Sequence, residues 1–200
     1  MLDAAEVLFA EHGFAGTSLR MITQRASVNL ASVNYHFGSK EALLQEVFSR
    51  RLDPLVQQCC QRLLQQQAAG PVPVASAMAI FLETAQQQVW SRGRDGGRFV
   101  RLLSRAFIEP HPALQGVLPK HFAPLVMAYK TVLREALPLL DEATLMWRLH
   151  LAFGTLFHAL AGNDALQMVA RCETVDADDQ RMVMQQILPF LSGGMQAGTG

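Results

Sequence analysis

The chain has 200 residues, half of them hydrophobic, and its 17 basic residues balance 17 acidic ones. That composition supports a real core in one large or two small domains. The three cysteines, adjacent Cys59 and Cys60 plus Cys172, do not make a disulfide framework, no apolar run is long enough to span a membrane, and no secretory leader opens the chain, so a soluble cytoplasmic protein with no membrane partner is expected.

Residues 2–13 read as the first helix, with Leu2, Ala5, Leu8 and Phe9 at helical spacing and Gly13 as its stop. Two very short helices follow. Leu19, Ile22 and Ala26 give the first an apolar face, and Thr17 and Ser18 stand where they can cap its free N–H groups. Asn29 is a strong N-cap for the second, which runs from about Asn29 to Tyr35 with Val33 and Leu30 turned inward. The three residues Ala26, Ser27 and Val28 suffice to turn one helix roughly perpendicular to the other, as in a DNA-binding helix-turn-helix. Asn29, Ala31, Ser32, Asn34 and Tyr35 are small or polar, which suits close entry into a groove. The plain alternative is a solvated helix in a small bundle; the following Tyr35-His-Phe-Gly-Ser-Lys40 argues for DNA.

Thr17, Ile22, Ala26, Val28, Val33, His36, Phe37, Lys40, Glu41 and Leu43 stand at the spacing of the TetR family of bacterial one-component regulators, which the first quarter of the chain resembles. The resemblance implies an all-α fold: an N-terminal three-helix helix-turn-helix domain, here residues 1–51, and a helical ligand-binding and dimerisation domain, here 52–200. It also implies a DNA-binding set: Thr17, Ser18, Arg20, Asn29, Leu30, Ala31, Ser32, Asn34, Tyr35, His36 and Lys40. The chain departs from the family at Thr23, Ser27 and Ala31, where Ala, Gly and Gly are usual, and at Asn34, where Tyr is usual. Ser27 then has to hold a left-handed backbone that glycine holds at about 1 kcal/mol less. Asn34 leaves the phosphate contact to Tyr35 or His36 and is free to read an adenine. Zero net charge is a poor advertisement for a DNA binder, but Arg20, Arg25 and Lys40 gather in or beside the motif.

Ser39 caps the next helix, whose apolar rhythm from Leu43 to Leu64 carries across Pro54 as one long lever. Gly70-Pro-Val-Pro73 is a loop, a helix spans Val74 to Trp90, and a second loop precedes a helix from Arg98 to Ile108. That helix carries Arg98, Arg101 and Arg105 along one side, read as a solvated cationic face in preference to an anion site. A helix from Phe122 to Leu137 ends at Pro138. Asp141 caps an apolar helix through Leu160, and a last helix runs from about Val175 or Asp178 to Ser192, with the two glycines after it opening a frayed tail. By resemblance, these last two helices make a four-helix interface in a homodimer, which lets two short reading helices engage a palindromic operator in double-stranded DNA.

The candidate pocket walls are Trp90, Phe99, Leu103, Phe107, Met127, Trp147, Phe153 and Phe157, each of which could equally be plain core. Polar candidates are few: Tyr129, His150, His158, Arg148 and the arginine face. An apolar effector with at most one charged end is expected. Asn29 to Lys40, Arg101-Leu-Leu and Trp147-Arg-Leu-His150 resemble the fatty-acid-responsive (PsrA-like) branch, which implies a fatty acid or acyl-CoA and a repressor. The alternatives are a multidrug sensor for aromatic cations, requiring buried carboxylates among Glu83, Glu109 and Glu135, and a motif used only for protein contacts. An enzyme is not expected, since the six histidines form no HExxH and pair with no CxxC; no cofactor or metal is expected either.

Overall fold

The structure is a computed structural model that describes residues 1–89, 91, 93–108, 111–160 and 180–198. Every regular element among them is a helix: α1 Leu2–Gly16, α2 Leu19–Ala26, α3 Leu30–His36, α4 Lys40–Ala68, α5 Val74–Gln88, α6 Arg94–Ile108, α7 Pro112–Gln115, α8 Val117–Ala136, α9 Glu142–Leu160 and α10 Gln180–Gln196. No described helix is long and apolar enough to cross a membrane. The chain forms two compact units, Met1–Gln57 with Gln86–Ala123, and Gln58–Ala85 with Pro124–Gly200.

The first unit is built on the start of α4. Leu43, Leu44, Val47 and Phe48 are fully buried, and the Phe48 ring meets Phe99 of α6 edge-on at 5.9 Å. The helix α1 packs on α2 and α6. It breaks at Gly13 (φ 70°, ψ 175°), where a Cβ would be strained, and ends one turn later at Gly16. Glu6 on α1 is buried and accepts from both Arg51 nitrogens, Nε at 2.9 Å and Nη2 at 2.8 Å, and from Arg50 Nη2 at 2.8 Å. Arg50 Nη1 reaches on to Asp3 at 2.7 Å. The guanidinium beside Asp3 holds its carboxyl below the usual range, and the Glu6 hydrogen bond pushes the Arg51 pKa up. This network pins α1 to the long helix.

In the second unit, Tyr129 is buried and its hydroxyl donates to the Ala77 carbonyl at 2.8 Å. Phe153 meets Phe81 and Tyr129 edge-on at 5.7 and 5.8 Å. Cys59 is buried against Thr84, and burial pushes its thiol up to about 11, so it stays a protonated, inert thiol at neutral pH. The helices α9 and α10 pack together. Asp141 caps α9, accepting from the Thr144 N–H at 2.9 Å.

Three boundaries differ from the periodicity. The helix expected from Arg98 starts at Arg94, because Gly93 (φ 58°) makes the turn and Asp95 in the first turn pairs with Arg98 at 3.0 Å. The helix expected from Phe122 starts at Val117, since Pro119 lies in a first turn that needs no N–H donor there. The last helix runs through Gly193 and Gly194 to Gln196: Arg148 of α9 donates to the Met195 and Ala197 carbonyls, both at 2.6 Å, and caps an end that glycines alone would fray. Arg148, expected as a polar pocket residue, is a helix cap. The expected start of that last helix, at Val175 or Asp178, lies outside the described residues.

Candidate nucleic-acid interface

The turn between α2 and α3 is made by local chemistry. Ser18 Oγ accepts from the Met21 N–H at 3.2 Å and starts α2. Ile22 is fully buried and anchors it. At its end the Ser27 N–H donates to the Gln24 carbonyl and the Val28 N–H to the Thr23 carbonyl, a paired C-cap. This cap requires Ser27 in the left-handed region, and it lies there at φ 53°, ψ 43°. Asn29 Oδ1 then accepts from the Ala31 N–H at 3.0 Å and starts α3. Val33, fully buried, fixes which face α3 turns inward. Gly38 (φ 75°) closes α3, and Ser39 Oγ accepts from the Ala42 N–H at 3.0 Å to begin α4.

Because Ser27 is exposed and strained, Ser27→Gly should raise stability by about 1 kcal/mol without touching the packing. A chemical denaturation curve checks this; an unchanged or lower midpoint would mean that the turn carries no strain.

The expected DNA-facing residues separate into two groups. Ser18, Arg20, Asn29, Ala31, Tyr35 and His36 are exposed, Tyr35 at 86%. Leu30 and Ser32 are half-buried on the same short helix. Asn34 lies on α3, but its side chain is outside the described residues. The Tyr35 and His36 rings stand edge-on at 5.1 Å, which props both outward at the end of α3. Arg20 and Arg25 are exposed and make no ion pair among the described residues.

Thr17 and Lys40 are held from behind. Thr17 is buried, with its hydroxyl directed to the Gly13 carbonyl at 2.7 Å and the Leu8 carbonyl at 3.0 Å. Lys40 Nζ donates to the Phe14 carbonyl at 2.9 Å and the Thr17 carbonyl at 2.8 Å, and lies 4.2 Å from the centre of the Phe14 ring. Two of its three donors tie the end of α1 to the start of α4. His111, which caps α7 through Nδ1, lies tilted against the same Phe14 ring, 4.6 Å between centres. Sequence spacing gave no sign of these three contacts, because the partners lie 23 to 97 positions apart (His111 and Phe14 are 97 apart, 111 − 14).

The expected pocket residues fall in both units. Phe99 and Leu103 are buried in the first, where Phe107, 47% exposed, lies 6.4 Å from the Phe122 ring. Phe153 is in the aromatic cluster of the second unit. Met127 and Trp147 are 57% and 66% exposed. Trp90 and the Phe157 side chain lie outside the described residues.

Residues 1–47 match the family model described as bacterial regulatory proteins, tetR family, and residues 79–194 match the tetracyclin repressor-like C-terminal domain. The chain is 39% identical over 49 residues to the "Probable HTH-type transcriptional regulator YttP" of Bacillus subtilis (strain 168), covering 24% of each chain. It is 40% identical over 55 residues to the HTH-type transcriptional repressor KstR2 of Rhodococcus jostii (strain RHA1), covering 28% of this chain and 27% of the relative. These matches span about a quarter of the relatives' length. Among solved structures, the fold is similar to that of FadR from Bacillus subtilis in complex with stearoyl-CoA, with TM-score 0.68, 15% identity and 96% of each chain covered. It is also similar to the fatty acid degradation regulator FadR from Bacillus halodurans, with TM-score 0.64, 18% identity, and 94% of this chain and 95% of that one covered. With models of both halves matched, one over more than half of its length, the chain belongs to the TetR family of transcriptional regulators.

Proposed function

We propose that the protein is a homodimeric repressor, released from a palindromic operator by an acyl ligand, a fatty acid or its CoA ester. The observation that carries the DNA reading is the exposed set on and beside α2 and α3: Ser18, Arg20, Asn29, Ala31, Tyr35 and His36, with Ser32 half-buried among them, supply short side chains, polar groups and one cation for base edges and phosphates, and Asn34 is proposed to join them. Thr17, Leu30 and Lys40 support that surface from beneath. Residues 1–51 act as the reading domain and 52–200 as the effector and dimerisation domain.

Dimerisation through α9 and α10 is supported by apolar side chains left uncovered in the single chain. Trp147 and Leu151 are 66% and 62% exposed on α9, and Met182 and Phe190 are 48% and 68% exposed on α10. Two-fold pairing sets two copies of α3 about one DNA turn apart, roughly 34–36 Å.

An apolar effector is supported by the want of charge in the interior. Glu6 is the one buried carboxylate among the described residues, and it is paired with two arginines. Glu83 is half exposed and paired with Arg62, and Glu135 is exposed and bonded to Gln67, so neither serves a buried cation; Glu109 lies outside the described residues. Phe99, Leu103 and Phe107 are the residues that would meet an acyl chain. The similarity in fold to a FadR solved with stearoyl-CoA adds to this reading.

The effector shifts the equilibrium between DNA-competent and DNA-incompetent dimers by binding the second more tightly. The test is lipid extraction and mass spectrometry of the purified protein, followed by operator binding with and without oleate or oleoyl-CoA. Release at micromolar ligand is expected; no acyl compound in the extract and unchanged DNA binding would remove the acyl effector.

A further inference from the structure

His121 lies in the second turn of α8 with only 5% of its surface exposed. Its Nδ1 is 2.7 Å from Asp53 Oδ1 on α4, while its Nε2 is buried and has no hydrogen-bond partner among the described residues. A carboxylate can only accept, so Nδ1 carries the proton and the ring is locked in orientation by Asp53. The other nitrogen is then committed to the interior. Buried polar atoms are nearly always paired, and leaving one unpaired is costly. A ring nitrogen unpaired at this depth is available to a partner from outside the described residues.

The setting selects the partner. Val117 and Leu118 lie one turn back on α8, Phe122 follows, and all three are buried. The Phe122 ring lies 6.4 Å from Phe107 of α6. The cations on the adjoining stretch of α4 have their own acids, Arg50 with Asp3 and Glu6, and Arg51 with Glu6. No ion pair other than the one with Asp53 is made by His121 among the described residues. A molecule with a long apolar part and one hydrogen-bond-donating head group fits such surroundings.

We propose that His121 Nε2 is the polar anchor of the effector, accepting a hydrogen bond from the carboxyl O–H of a fatty acid. The inference rests on the acyl reading above and adds the residue that recognises the head group. The Nδ1–H serves Asp53 and the Nε2 lone pair serves the ligand. Asp53 lies on α4, the helix that follows α3 in the chain. A ligand held by His121 therefore acts on the same hydrogen-bond chain that holds the lever, which supplies the unequal affinity that regulation needs.

The experiment uses the full-length protein and two probes, oleate and oleoyl-CoA. His121→Asn keeps an N–H for Asp53 and has no atom at the Nε2 position. Calorimetry should show oleate binding about tenfold weaker in the variant, the loss of one buried hydrogen bond. Loss for oleate with oleoyl-CoA unaffected is expected, because the thioester has no O–H to donate; equal loss for both probes would overturn the hydrogen bond to a carboxyl. In the wild type, nitrogen NMR of the His121 ring should show the Nε2 resonance shift on adding the probe, a readout that stands even if the variant fails to fold. A wild type that binds acyl ligand with no shift at His121 and no loss in the variant would overturn the anchor and leave the acyl reading intact. A wild type that binds neither probe would overturn both.

Discussion

Glu6→Gln should destabilise the protein by about 3–5 kcal/mol, the largest stability effect expected of any single polar substitution in the first unit. Glutamine keeps the shape but removes the charge, leaving the Arg50 and Arg51 guanidiniums facing a neutral amide in a site where the Glu6 side chain is only 3% exposed. The Arg51 pair is bidentate, and its side chain is 12% exposed, so little water can replace the lost partner. For a chain of this length the melting temperature should fall by roughly 6–20 °C. Asp3→Asn is the control: its side chain is 88% exposed, and the loss should be under about 1 kcal/mol. Equal losses for the two, measured by thermal or urea unfolding, would show that the buried network does not hold α1 to α4.

Tyr35→Ala should separate reading from folding. The ring is 86% exposed, so its removal should change stability by no more than about 0.5 kcal/mol. In a dimer on a palindrome it removes two contacts. At about 1.5–3 kcal/mol for each hydrogen bond to a charged phosphate, operator affinity should fall by about 3–6 kcal/mol, roughly 10²- to 10⁴-fold. Tyr35→Phe distinguishes the hydroxyl from the ring: a loss close to that of alanine assigns the contact to phosphate. Unchanged affinity in Tyr35→Ala, measured by fluorescence anisotropy at fixed salt, would remove α3 from the interface.

What was legible in the chain was local. Ser18, Asn29, Ser39 and Asp141 cap helices because a short side-chain oxygen reaches an N–H two or three residues on, and such reach is written in the spacing. Ser27 announced its left-handed backbone because glycine is usual at that position in the family. The buried faces of α1 to α4 followed from their three-four rhythm. What was hidden involves partners far apart in sequence. Glu6 with Arg51, Lys40 with Phe14 and Thr17, Asp53 with His121, and Arg148 with Met195 are joined across 23 to 68 positions, and no periodicity relates them. Glu6 is buried although glutamate seldom is, so composition gives no sign of its network. Lys40 shows the same gap: a family pattern fixes that a lysine stands there, while only its contacts show what its ammonium holds. Apolar spacing likewise gave no way to tell Phe153, packed on Phe81 and Tyr129, from Trp147, which lies uncovered in the single chain.

The most direct test is duplex DNA binding by the purified full-length protein across a salt series, on sites recovered by selection from genomic fragments. A dyad-symmetric site with half-sites one helical turn apart is expected, with the logarithm of the binding constant falling linearly as the logarithm of salt rises. Recovery of no common sequence, together with no binding to any duplex at low salt, would contradict the account.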